Sequence, residues 1–227
     1  MLIIGLKGGI ATGKSSVSSY IKEKKIPIVD ADKIAHDVLK NKNVIKRIIK
    51  EFGEQVIDNT TGEVIRSKLG EIVFSNDQKR KALNGITHPK IKMEMFTQVL
   101  YNFLIGQRIV IMDVPLLFES GTYHFVNKTV VVSCSKENQL TRLMKRNNFN
   151  EEEAKARINS QMSLEEKIKK ANIVIDNNET LAETEKQVDD MLEKYTPSKF
   201  KNAALYTLLI IPAATAYGVL KGISFFY

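Results

Sequence analysis

The chain is poor in the residues that staple a protein together or keep it unfolded. A single cysteine, Cys134, in 227 residues excludes a disulfide framework and any multi-thiolate metal site. It leaves a reducing, cytoplasmic compartment as the expectation. Three widely spaced histidines, His36, His88 and His124, give no zinc-ligand pattern. Only 5 prolines and 12 glycines, beside 43% hydrophobic and 26% charged residues, exclude collagen-like, low-complexity and disordered chains. Aromatics make up 7% and are not interleaved with a basic stripe, which argues against a nucleic-acid surface. The N-terminus has neither the basic start nor the cleavage site of a signal peptide, so it reads as mature protein. What is abundant is positive charge: the net value is +8, suited to anionic partners, whether phosphorylated metabolites, nucleic acid or an acidic membrane surface, among which composition does not choose.

At about 150 residues per domain, the length suits one large domain or one domain with an inserted subdomain. Met1 to Leu6 is a short apolar run, the pattern of a strand buried on both faces of a parallel sheet. Gly8 and Gly9 break it, and Lys14 to Lys25 carries Val17, Tyr20 and Ile21 at helical spacing. A second strand, Ile26 to Val29, ends at Asp30. Residues 33–107 are mostly helical by pattern and read as a helical lobe inserted in the core, with a long helix from Lys90 to Ile105 starting after His88-Pro89. Strands return at Arg108–Val114, Lys128–Ser133 and Ile173–Ile175. Helices are expected at Lys136–Arg146, Asn150–Gln161 and Leu181–Tyr195. Five strands separated by helices predict a doubly wound α/β sheet.

The tail, 197–227, departs from this pattern. Asn202 to Leu220 holds 19 residues without a charge. As a helix it would span about 28 Å, just short of the ~30 Å hydrocarbon core. Pro212, Thr215 and Gly218 interrupt it. Three readings stay open: a buried or amphipathic terminal helix, a helix lying in the membrane interface, or an anchor. In the last case Lys199 and Lys201 flank it on the cytosolic face of an endoplasmic-reticulum or mitochondrial membrane.

One motif narrows the function. Gly8-Gly9-Ile10-Ala11-Thr12-Gly13-Lys14-Ser15 matches G-x-x-x-x-G-K-[ST] after a buried strand and at the start of a helix. Its glycines let successive backbone N–H groups turn toward phosphate oxygens, and the helix N-terminus adds partial positive charge. Lys14 is placed to reach the β- and γ-phosphates of ATP, and the Ser15 hydroxyl to ligate Mg²⁺. A guanine-reading N-K-x-D is missing: Asn127-Lys128-Thr129-Val130 lacks its aspartate. That leaves a kinase of a small acceptor held in the helical lobe as the favoured class. An ATP-gated nucleic-acid-binding protein is the remote alternative. Asp32, at the end of the second strand, is either a proton acceptor for the incoming hydroxyl or a helix cap. Asp113, ending the third strand, is either a magnesium carboxylate acting through water or a turn residue. Arg142 and Arg146 share a helical face, with Arg157 farther on; they close over phosphate or form a solvated basic face.

Seven segments in order then resemble dephospho-coenzyme A kinase, most closely its eukaryotic, fungal-type form. They are Gly5-Leu6-Lys7-Gly8-Gly9-Ile10 with Thr12-Gly13-Lys14-Ser15, Val29-Asp30-Ala31-Asp32, Leu83-Asn84-Gly85-Ile86-Thr87-His88-Pro89, Asp113-Val114-Pro115-Leu116-Leu117-Phe118-Glu119, Gln139-Leu140-Thr141-Arg142, Asn159-Ser160-Gln161-Met162 and Ile175-Asp176-Asn177-Asn178. The resemblance covers residues 1–196. It implies ATP-dependent phosphorylation of the ribose 3′-hydroxyl of dephospho-CoA, with Mg²⁺. It also implies a core of residues 1–32 and 108–196, a CoA-binding lobe at 33–107 and a lid at about 142–165. On the same basis Asp32 is the expected base and Arg142 the expected phosphate-contacting lid residue, followed by Arg146 and Arg157. A kinase of another small hydroxyl or nucleotide acceptor remains the alternative.

Overall fold

A computed structural model describes residues 1–114 and 126–196. The segment 115–125, with five of the seven residues of the Asp113–Glu119 motif and His124, lies outside the described residues. So does the tail 197–227, with the membrane readings attached to it. Five parallel strands, β1 (Leu2–Gly8), β2 (Ile28–Asp30), β3 (Ile109–Asp113), β4 (Lys128–Ser133) and β5 (Ile173–Asp176), form one sheet in the order β2-β3-β1-β4-β5. The chain first builds outward from β1 to β2 and β3, then crosses to β4 and β5. The carboxyl end of β1 therefore sits at the reversal point where open α/β sheets bind ligands.

β3 shows why the sequence folds this way. Ile109 and Ile111 face a core with α1 (Lys14–Glu23) and the last helix, whereas Val110, Met112 and Val114 face a core with the helices between β2 and β3. A strand with helices on both faces must be apolar at every position, and IVIM is. The first core gathers Val17 and Ile21 of α1 with Ile4, Leu6, Val130, Val132 and Ile175. The second gathers α2 (Ala31–Val38), α3 (Lys42–Phe52), α4 (Arg66–Phe74) and α5 (Asp77–Leu104). In α3, Val44, Ile48 and Phe52 recur every fourth residue and are buried. The Asn41 side chain caps its start, accepting from Asn43 N at 3.0 Å, and Gly53 at φ 84° ends it. The helical lobe thus shares its core with β2 and β3 and packs directly against the sheet.

Two elements differ from the sequence reading. The long lobe helix starts at Asp77, well before Pro89, and runs through that proline. Pro89 has no N–H to give the Gly85 carbonyl. The helix is held across this gap by Ile86 on one side and Ile91, Met95 and Val99 on the other, all packed into the lobe core. Tertiary burial outweighs the local break. The second difference is an additional short helix before β5. After α6 (Lys136–Asn147) and α7 (Glu151–Asn159) comes α8 (Leu164–Lys170), begun by Ser163, whose Oγ accepts from Glu166 N at 3.1 Å. The chain then closes with α9 (Leu181–Tyr195), tied to α1 by Tyr20 and Lys24 on Asp189. Among the described residues no helix is long and apolar enough to cross a membrane.

Candidate active site

The loop between β1 and α1 is already wound into a nest. Ala11 at φ 57° and Gly13 at φ 93° are both left-handed, and such alternation turns consecutive N–H groups to one side. Ser16 N at the start of α1 already donates to Gly13 O at 3.0 Å, while the helix's first N–H groups, at Lys14 and Ser15, precede any intrahelical acceptor. The carbonyls that turn outward are occupied. Gly9 O accepts from Thr12 Oγ1 at 3.0 Å, Ile10 O from Gln139 Nε2 at 2.8 Å, and Thr12 O from Asn177 Nδ2 at 2.9 Å. Gly13 is required twice over: its φ disfavours any side chain, and a Cβ there would collide with Asn177 Nδ2. A cavity of about 380 Å³ lies over the loop, lined by Gly9 through Ser16 together with Arg142 and Arg146 of α6. A second, of about 410 Å³, opens among α6, α7 and α8.

Three carboxylates and one ammonium meet at the carboxyl ends of β1, β2 and β3. Asp113 is the register partner of Leu6 on β1 and of Asp30 on β2. The buried Asp113 carboxylate binds Lys14 Nζ through both oxygens, Oδ2 at 2.6 Å. Asp30, not Asp32, caps α2, its Oδ1 accepting from Lys33 N at 2.9 Å. Asp32 stays open to solvent, yet the partial desolvation it undergoes pushes its carboxyl above the usual range. Asp30 adds to the push, Lys14 opposes it and Asp113 reinforces it.

Arg142 extends from α6 over the loop with its Nη1 buried and, among the described residues, without a hydrogen-bond partner. Burial raises the adjacent Cys134 thiol and the Arg142 charge lowers it. Cys134 is 5% exposed, a core position. Arg146 is exposed at the cavity rim, its Nε donating to Asn147 Oδ1 at 2.8 Å. Arg157 is not brought to this cavity: on α7 its guanidinium stacks over Phe149 at 5.9 Å. Ser15 lines the cavity and is exposed.

No group of three or more His, Cys, Asp or Glu side chains among the described residues is arranged to hold a metal alone. The Ser15 hydroxyl at the cavity and the Asp113 carboxylate beside Lys14 are oxygen donors of the kind Mg²⁺ takes, one or two at a time, beside nucleotide phosphates and its own waters. The residues that give the loop its shape, Gln139, Asn177 and Thr184, carried no assigned role in the sequence. The signal was there, because two of them stand inside the quoted Gln139–Arg142 and Ile175–Asn178 segments.

The family model for dephospho-CoA kinase (CoaE) matches residues 2–183. The chain belongs to the dephospho-CoA kinase family. A dephospho-CoA kinase of Bacillus cereus is 48% identical over 195 residues, 86% of this chain and 97% of its own. The Caenorhabditis elegans protein T05G5.5 is 44% identical over 218 residues, 93% of this chain and 92% of its own. Among solved structures, dephospho-CoA kinase from Campylobacter jejuni superposes with a TM-score of 0.67 at 32% identity, covering 86% of this chain and 96% of that one. Family and fold agree with the P-loop kinase architecture expected from the loop and the strand pattern.

Proposed function

We propose that the chain transfers the γ-phosphoryl group of ATP to the ribose 3′-hydroxyl of dephospho-CoA, giving CoA and ADP, the last step of coenzyme A synthesis. The observation that carries the reading is the nest of residues 8–15 beside Arg142, whose buried Nη1 has no hydrogen-bond partner among the described residues. Family membership supplies the acceptor. In this reading the 3′-oxygen attacks the γ-phosphorus as the bond to the β–γ bridging oxygen breaks. The hydroxyl proton passes to Asp32, and ADP carries away the electrons of the broken bond. The raised Asp32 carboxyl suits a base working nearer neutrality than an ordinary aspartate.

Lys14 has to exchange partners: its ammonium leaves Asp113 for the β- and γ-phosphate oxygens, which frees the Asp113 carboxylate. Ser15 Oγ, with Asp113 through water, would hold the magnesium ion, which would supply neutralisation of the negative charge on the phosphates. Arg142 spreads its fork over the equatorial oxygens, where charge is greatest in transit. Arg146 follows from the rim, and Arg157 joins only if α7 swings toward the cavity. The helical lobe at 33–107 holds the acceptor, and residues at about 142–165 form the lid.

The test is product identification after incubation with Mg·ATP and dephospho-CoA. Formation of CoA with one ADP per turnover, abolished by chelating the divalent ion, is the expected result. ADP release that ignores dephospho-CoA but follows another hydroxyl acceptor would overturn the assignment. Attachment of residues 197–227 to a membrane is a separate reading carried by the uncharged run 202–220. Carbonate extraction of the full chain against a version ending at Lys199 tests it.

A further inference from the structure

The P-loop is held from behind by side chains that no part of the reaction uses. Asn177, 8% exposed, reaches from the end of β5 and donates Nδ2 to Thr12 O at 2.9 Å. Thr12 O, which only accepts, turns the amide nitrogen toward the loop, and Thr184 on α9, 1% exposed, holds the amide from the other side, its Oγ1 donating to Asn177 Oδ1 at 2.9 Å. The next residue, Asn178, grips the start of α6: its Oδ1 accepts from Ser135 N at 2.6 Å and from Asn138 Nδ2 at 3.1 Å. Gln139, 4% exposed on the same helix, closes the circuit through Ile10 O at 2.8 Å. Gln139 and Arg142 lie three apart on α6, on neighbouring positions of one face.

We propose that Asn177, held by Thr184 and matched by Gln139, is a positioning device. It holds the nucleotide nest in its binding shape before ATP arrives and keeps it in register with the helix that carries Arg142. The physical basis is the nest itself. Its N–H groups point inward only while the alternate carbonyls point outward, and an outward carbonyl buried against β5 or α6 needs a donor. Asn177 and Gln139 supply those donors. With the carbonyls held, a phosphate meets amides already aimed at it and binding incurs little ordering cost.

Thr184 is the decisive place to test this, because its hydroxyl bonds to Asn177 Oδ1 and Thr180 O and to nothing in the loop. Thr184→Val keeps the shape and removes the hydroxyl, so the Asn177 amide loses the bond that holds it from the other side. Thr184→Ser keeps the hydroxyl. The proposal rests on the kinase reading, but calorimetric titration of Mg·ADP into the full chain needs no acceptor, so failure here is distinguishable from a wrong acceptor. Expected results are a roughly five- to tenfold weaker ADP affinity and higher KM for ATP in Thr184→Val. The KM for dephospho-CoA stays unchanged, and Thr184→Ser stays within about twofold of the parent. Asn177→Asp, which sets an oxygen against Thr12 O, weakens ADP by more than about tenfold. If Thr184→Val does not fold, Gln139→Met tests the opposite strut and gives the same selective rise. ADP affinity unchanged in the folded variants overturns the proposal. So does a parallel rise of both KM values with serine no better than valine, which marks a merely structural role.

Discussion

Replacing Asp32 by asparagine separates the chemistry of this site from its stability, because the two are expected to move in opposite directions. The substitution is nearly isosteric and leaves the start of α2 intact, since Asp30 carries the cap. It removes the proton acceptor. Loss of a positioned base costs about 10²- to 10⁴-fold in kcat, or about 2.7–5.5 kcal/mol of barrier. Stability follows the raised carboxyl. Partial desolvation and the neighbouring Asp30 and Asp113 push the folded-state value above the ordinary 3.8 despite Lys14, so the folded protein binds that proton more tightly than the unfolded chain. Above the folded-state value the ionised carboxylate works against the fold. At pH 7 the asparagine variant should therefore melt slightly higher than the parent in the absence of nucleotide. The difference should shrink as the pH falls through the Asp32 value and vanish below about 3.8, where the carboxyl is protonated in both states. Initial-rate kinetics with saturating ATP and dephospho-CoA, together with thermal melts at about pH 7 and well below pH 3.8, measure both effects. A kcat within about tenfold of the parent refutes the base assignment. A lower melting temperature at neutral pH refutes the electrostatic account of the acidic cluster.

Three further outcomes follow from the same geometry. Lys14→Ala leaves the buried Asp113 carboxylate without its partner, so it should lose about 3 kcal/mol of ligand-free stability as well as about 10²-fold or more of activity. Adding Asp113→Ala should restore the stability in a urea titration but not the activity. Arg142→Met should lower kcat by about 10²- to 10³-fold with little fall in melting temperature, because the buried Nη1 has no hydrogen-bond partner among the described residues and the guanidinium's contact with Cys134 is the one lost; a drop of several degrees would mean the guanidinium is structurally engaged. Gly13→Ala forces a side chain into a left-handed backbone at about 1–2 kcal/mol. It also displaces the Asn177 amide, stranding buried groups at about 1–3 kcal/mol. A loss of about 2–5 kcal/mol in urea unfolding is expected, and a loss below about 1 kcal/mol would refute the close approach.

The strands and the phosphate loop were legible because each is encoded locally. Lys128–Ser133 and Leu181–Tyr195 fall where the pattern puts them, since an unbroken β-branched run and a single amphipathic face each need only their own residues to declare themselves. α8 was missed although Ser163 and Glu166 make the cap signal, because seven residues give too little periodicity for a helix to stand out. The continuation of α5 through Pro89 could not be read locally at all: proline reports a local cost, and only the packing of Ile86, Ile91, Met95 and Val99 into one core shows that it is outweighed.

The acidic cluster marks a deeper limit. Asp30 and Asp32 are two residues apart and each suits a cap or a base. What separates them is that Asp30 turns back to Lys33 N, whereas Asp32 feels the charges of Lys14 and Asp113, from elements distant in the chain. Roles assigned by a hydrogen bond within one turn can be guessed from spacing. Roles assigned by which strands lie side by side require the order β2-β3-β1, and that order is fixed only once both faces of β3 are buried. The same holds for Asn177: the Ile175–Asn178 segment marks the residue, but its amide bonds to a carbonyl 165 residues earlier in the chain, a partner that spacing within the segment does not reveal.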